Sequence, residues 1–248
     1  MSAGPLWQKL LDEAAEFEAL GHPPVAIRPA ASLVILDESE SPAVLMGRRG
    51  RHHRFMPGVF VFPGGGVEPC DRDLAKHHRL NQPALDRLHI ESSIDTVEAS
   101  ALALAAIRET FEETGLLIGA QEHGDVEADL GWPYNAPAGF HPRPQWLTPL
   151  ARAVTPPGGS HRYDTRFFVT CRSNLVKPDA PQFDPPTLEL EDIGWVRLSE
   201  TGDMPLAAIT RAILQDVQSR FVAGTLYDPN HPIPFYRRQG QAFLRDLI

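Results

Sequence analysis

Residues 107–115 read IRETFEETG, and they crowd Glu109, Glu112 and Glu113 into little more than one helical turn. At the angular step of an α-helix the three carboxylates fall within an arc of about 100°, while Phe111 points the opposite way. Like charges one turn apart repel each other on a helix. The stretch is therefore either a solvated acidic stripe or an oxygen cluster that receives a cation. Arg108, four residues before Glu112, can hold that carboxylate but cannot neutralise all three.

The helix carrying the cluster is readable in full. Val97, Ser100, Leu104, Ile107 and Phe111 recur at intervals of three and four, which predicts one inward stripe over 96–114. Asp95 with Glu98 forms the pattern of a capping box, and Gly115 supplies the stop. Upstream lies FPGGGVEP (62–69), whose glycines let backbone carbonyls approach a cation closely. Carboxylates together with carbonyls make an oxygen-rich donor set suited to Mg²⁺ or Mn²⁺.

The remaining chain reads as alternating strands and helices. Residues 5–20 predict an amphipathic helix whose Leu6, Leu10 and Phe17 lie near one face, able to pack on its own domain or on a second copy in a homodimer. Residues 30–36 and 43–49 predict a hairpin, and 58–66 a strand running into a glycine loop. Residues 72–94 interrupt the pattern as a helical insertion, either a lid or an interface. Residues 119–145 read as a long loop, 162–171 and 192–200 as strands, 204–222 as a helix and 223–248 as a Pro-rich tail. No linker divides the chain, so one α/β domain is expected.

Composition excludes several classes. The formal charge of −9 speaks against nucleic acid as the main partner. Two cysteines, Cys70 and Cys171, form no disulfide framework and suit a cytoplasmic location. There is no apolar run long enough for a membrane span, and charged residues interrupt the N-terminal apolar pattern where a secretory segment would need none. Residues 245–248, RDLI, match no familiar targeting address. The adjacent pairs His52–His53 and His77–His78 lack a zinc spacing and read as solvated, and Cys70 has no nucleophilic role. No Gly-Lys-Ser/Thr follows the glycines, and Gly158-Gly159-Ser160 lacks a nucleophile elbow.

RETFEETGL (108–116) resembles the R-E-x-x-E-E-x-G-apolar core of the Nudix box, and FPGGGVEPCD (62–71) resembles the part that precedes it. Asp71 stands where the pattern has Glu, Thr110 where it has an apolar residue, and the interval from Asp71 to Arg108 is much longer than usual. The excess coincides with the insertion at 72–94. A break at this point resembles the peroxisomal-type coenzyme A diphosphatase subgroup. So do LMGRRGRHHRFMPGVFVFPGG (45–65), with Arg49, Arg54 and Gly58 on the subgroup's pattern, and LARAVTPPGGSHRYDTRFFVT (150–170).

The resemblance implies a Nudix fold, an α/β/α sandwich around a central mixed sheet. It implies metal-dependent hydrolysis of a nucleoside diphosphate derivative, with coenzyme A or its esters as the expected substrate. ADP-ribose, NADH and dinucleoside polyphosphates are the alternatives, and a non-catalytic nucleotide sensor is a third. Glu109, Glu112, Glu113 and the carbonyl of Gly64 or Gly65 would hold Mg²⁺ or Mn²⁺, and Arg108 would orient the glutamates. Either Glu109 or a glutamate outside the box would act as base; Glu191, four residues before Trp195, is favoured there, the bland reading of Glu189 and Glu191 being the solvent face of a strand. Arg49 and Arg54 are candidates for phosphate contacts, since a guanidinium fork binds phosphate oxygens in pairs. Arg162, Asp164 and Arg166 share one strand face by period two, so Arg162 and Arg166 are either substrate contacts or a salt-bridge ladder.

Overall fold

The computed structural model describes residues 4–50, 58–121, 139–179, 182–240 and 242–248. Its organising element is strand β1 (Ile27–Asp37), apolar along most of its length. Leu33 and Ile35 join one core, whereas Val34 and Leu36 join the other. A strand apolar on both faces must be covered on both sides. The first core holds helix α4 (Thr96–Thr114) and α3 (Gln82–His89); the second holds α1 (Pro5–Ala19) and α5 (Ala208–Val222).

β1 pairs antiparallel with β2 (Ala43–Arg49), as the hairpin pattern predicts, and parallel with β8 (Arg162–Cys171) from Ile27↔Arg162 to Leu36↔Cys171. The other members of this mixed sheet are β3 (Phe60–Val61), β4 (Gly64–Gly66), β7 (Thr148–Val154), β9 (Leu190–Arg197), β10 (Pro234–Gln239) and β11 (Ala242–Leu247). The order is β11-β10-β7-β8-β1-β2-β3, with β4 also on β1 and β9 also on β2. A small separate pair joins β5 (Gly119–Gln121) to β6 (Phe140–Pro142).

Several expectations change. The glycine stretch is not a loop: Gly64, Gly65 and Gly66 form β4, registered against Ser32, Ala31 and Ala30. A Cβ on Gly64 would stand 2.4 Å from the Ala31 carbonyl oxygen, so only glycine allows this approach. The segment 223–248 is not merely a tail, since β10 and β11 form a hairpin that extends the sheet by parallel pairing with β7. Neither it nor β7 shows an alternating pattern in the sequence. The long loop expected at 119–145 begins and ends in β5 and β6, and its interior at 122–138 lies outside the described residues.

Helix α4 has the predicted bounds but not one inward stripe. It is buried almost all round, with Ala99, Leu102, Ala103, Ala105 and Ala106 in the first core and Ala101 and Leu104 packed under helix α2 (Pro69–Leu74). The alanines make such close packing on several sides possible. Of the expected capping box, Asp95 accepts from the Glu98 amide at 2.8 Å, while the Glu98 carboxylate is held by Arg72 at 2.7 and 2.9 Å. Gly115 ends the helix in the left-handed region at φ 77°. The insertion forms a structural layer, because Ala84, Leu85 and Leu88 of α3 are buried against α4. Helix α1 packs on its own chain through Leu10 and Ala14.

The α4 cap gives a direct test of this packing. Asp95→Ala should lower stability by about 1 kcal/mol, read as a lower urea midpoint with an unchanged slope.

Candidate active site

The site forms where β4 lies beneath the C-terminal half of α4. Arg108 is 1% exposed and spends its whole guanidinium there. Nε and Nη2 donate to the two oxygens of Asp71 at 2.9 and 3.0 Å, Nη1 to Glu109 and Glu112 at 3.0 and 2.9 Å, and Nη2 also to the Gly66 carbonyl at 2.8 Å. Burial opposes its charge, but the bonds with Asp71 and the neighbouring carboxylates outweigh burial and raise its pKa further. Asp71, in the place of the usual Glu, is fully buried and also accepts from the Glu68 amide at 2.8 Å. The shorter residue thus both closes the first turn of α2 and anchors Arg108.

The carboxylates are not a solvated stripe. Glu112 and Glu113 are buried, and Glu109 is partly so. Glu113 accepts from the Gly64 amide at 2.9 Å. Glu109 lies against Gly65, where a Cβ would stand 2.2 Å from its Oε1. Burial pushes Glu109 from the ordinary 4.5 up to about 7, opposed by Arg108 and reinforced by Glu112. Burial raises Glu112 as well, and raises Glu113 well above its ordinary 4.5 despite the Gly64 bond and the charge of Arg49. One guanidinium does not balance this much negative charge.

Glu109 and Glu112 open on a cavity of about 660 Å³ whose wall also includes Arg49, Gly64, Gly65, Gly66, Glu68 and Glu189, while Glu113 lies behind it on the Gly64 amide. Crowded hard oxygens that resist ionisation fit a divalent cation, whose charge would reverse the sign of their repulsion. Among the described residues, no three acidic, histidine or cysteine side chains are already gathered as a preformed metal cage. Arg108 and the Gly64 amide hold the glutamates instead.

Glu191, expected as a base, is placed away from the cavity. It lies in β9 with its carboxylate 3.0 Å from Arg48, is 45% exposed, and is not part of the cavity wall. Glu189 takes that position. It precedes β9, and its charge raises the pKa of both Glu109 and Glu113. Thr187 anchors the segment, its amide and hydroxyl donating to the Glu112 carbonyl at 3.0 and 2.9 Å. Sequence spacing alone could not separate the two, because it does not mark where the strand begins. Glu68, two residues past the last glycine, also lines this cavity.

Arg162 and Arg166, expected as substrate contacts or a ladder, are not on the cavity wall. Tyr163, Thr165 and Phe167 line the cavity, so by period two Arg162 and Arg166 belong to the other face of β8. Arg166 is 2% exposed, pairs with Asp164 and donates to Ser92 at 3.1 Å, while Arg152 grips both oxygens of Asp164 at 2.9 and 2.7 Å. Burial lowers Arg166 to about 10. Arg162 donates to the Thr155 carbonyl at 3.1 Å. This is the ladder, and it pins the end of the insertion to the sheet. Arg54 lies outside the described residues.

Arg108→Met should cost about 3–5 kcal/mol in urea unfolding, because it strands Asp71 as a buried unpaired carboxylate. Between the ordinary 4.5 and the folded value of about 7, the folded chain binds a proton at Glu109 that the unfolded chain has lost. Stability without divalent cations should therefore fall as pH rises through that window, by about 1–3 kcal/mol from this group. Urea midpoints at about pH 5 and about pH 7.5 check the sign.

The chain is similar to known proteins. The family model of the NUDIX domain matches residues 26–217. The human protein named acyl-coenzyme A diphosphatase NUDT19 is 26% identical over 217 residues, covering 65% of this chain and 55% of the relative. Its Xenopus laevis namesake is 34% identical over 103 residues, covering 34% of this chain and 27% of the relative. The chain thus spans about half the length, or less, of these curated relatives. A crystal structure of a NUDIX hydrolase from Alicyclobacillus acidocaldarius superposes with a TM-score of 0.56 at 26% identity, covering 78% of this chain and 91% of that one. The matched residues run from β1 through the glutamate helix and β9 into α5, and on that span the chain belongs to the NUDIX domain family.

Proposed function

We propose that the chain hydrolyses the diphosphate linkage of a nucleoside diphosphate derivative, with coenzyme A or an acyl-coenzyme A as substrate. The products would be adenosine 3′,5′-bisphosphate and (acyl-)phosphopantetheine. The observation that carries the reading is the set of under-neutralised carboxylates against the glycine strand at one end of a large cavity. The choice of coenzyme A rests on the arginine pattern around Arg49 and on the similarity to two curated relatives named acyl-coenzyme A diphosphatase.

Glu109, Glu112 and Glu113, with a backbone carbonyl of the glycine strand, would hold Mg²⁺ or Mn²⁺. When bound, the cation neutralises phosphate oxygens and makes a bound water more acidic. Arg108 positions Glu109 and Glu112 and is itself too buried to reach substrate. Glu189, on the cavity wall, takes the proton of the attacking water. Arg49, on the same wall, receives phosphate oxygens through its fork.

A substrate panel with Mg²⁺ or Mn²⁺ tests the reading. Cleavage of ADP-ribose, NADH or a dinucleoside polyphosphate with coenzyme A species untouched would overturn the substrate class. No turnover of any of them would leave a nucleotide sensor. Glu113→Gln should abolish turnover while far-ultraviolet circular dichroism stays unchanged. Glu189→Gln should lower kcat by about 100-fold or more, and Glu191→Gln by no more than about twofold. The reverse order would restore Glu191 as the base.

A further inference from the structure

Glu189 reaches the cavity from residues 182–189, a stretch that is neither helix nor strand. It is exposed and, among the described residues, its carboxylate makes no hydrogen bond or ion pair. Its charge nevertheless bears on Glu109 and Glu113. The place of such a side chain is set by how the backbone around it is held. After it, Leu190 opens β9 and is buried, and the Glu189 carbonyl itself accepts from the Gly50 amide at 3.3 Å. Before it, the chain is fastened to the end of α4.

The last carbonyls of a helix lack donors within the helix. The Leu116 amide, which an uninterrupted helix would give to the Glu112 carbonyl, donates instead to the Thr114 hydroxyl at 3.2 Å. Thr187 takes up the free carbonyl with both of its donors, the amide at 3.0 Å and the hydroxyl at 2.9 Å. The Asp184 backbone lies against the helix stop, where a Cβ on Gly115 would stand 2.5 Å from its carbonyl oxygen. Pro185 and Pro186 fix φ between these two contacts, and a β-branched Thr187 has few rotamers to explore. Glu112 therefore acts at both ends: its side chain belongs to the carboxylate cluster, and its carbonyl holds the segment that bears Glu189 two residues further on.

Resting on the reading of Glu189 as the base, we infer that Thr187 is a positioning residue for the reaction. Its hydroxyl, bonded to the Glu112 carbonyl, sets the reach of Glu189 over the carboxylate cluster. The Thr187 amide gives one point of attachment and the hydroxyl a second, so the segment cannot pivot about a single bond. A misplacement of about 1 Å at reacting groups costs up to about 100-fold in rate. Thr187 also lines the cavity, and a direct contact with substrate would show itself differently, in KM.

The test uses the full chain with Mg²⁺ and whichever compound of the substrate panel is cleaved. Thr187→Val keeps the shape and removes the hydroxyl. Its kcat should fall by about tenfold, while KM and the Mg²⁺ concentration for half activity stay within about twofold. Thr187→Ser, which retains the donor, should bring kcat back to within about threefold of the parent. In a Glu189→Gln background Thr187→Val should cause no further loss, because nothing remains for it to position. Thr187→Ala reads the same cycle if the valine variant does not fold. An unchanged kcat, a rise in KM alone, or a full further loss in the Glu189→Gln background would overturn the inference and leave Glu189 as the base. Full activity of Glu189→Gln by itself would remove the base, and the inference with it.

Discussion

Arg108 is the point on which the rest of the site depends. Three carboxylates at helical spacing would repel one another and, once buried, would take up protons. The guanidinium offsets part of that repulsion and joins three elements in doing so: Asp71 of α2, the Gly66 carbonyl of β4, and Glu109 and Glu112 of α4 itself. Arginine alone suits this position, because a planar fork can satisfy several oxygens at fixed angles while remaining charged in a buried place. The arrangement stops short of neutrality, and an excess of negative charge remains beside the cavity.

That interaction also explains how the long insertion is tolerated. The chain leaves the site at Asp71, whose carboxylate is locked to Arg108, and returns at Asp95, which caps α4. With both ends held, the intervening residues are free to add a layer, and α3 packs its apolar face on α4. Arg152 and Arg166 then secure its far end through Glu91 and Ser92. The arginines of β8 serve the fold, whereas the alternate residues of the same strand serve the cavity.

The two cores have separate consequences. The first, under α4, is dense with alanine and holds the glutamates at short range from the glycine strand. The second, under α1 and α5, is richer in aromatic side chains and leaves an apolar trough beside the same strand. β4 lies between them, and its lack of side chains lets one cavity touch both chemistries.

The sequence by itself determined the glutamate helix with its cap and stop, the hairpin of β1 and β2, the strand β8 and the clustering of carboxylates in IRETFEETG. Each of these is written in local spacing, in the residue chemistry of a cap or turn, or in a motif that the family shares. Only the tertiary structure decided that Glu189 and not Glu191 faces the carboxylates, because this depends on where β9 begins and on the anchoring of Thr187 to α4. It also decided that Arg162 and Arg166 face away from the cavity, since period two says which residues share a face but not what covers it. The hairpin of β10 and β11 was hidden for a similar reason. The hairpin takes its place through the pairing of β10 with β7, a contact distant in the chain that leaves no periodic trace in the local sequence.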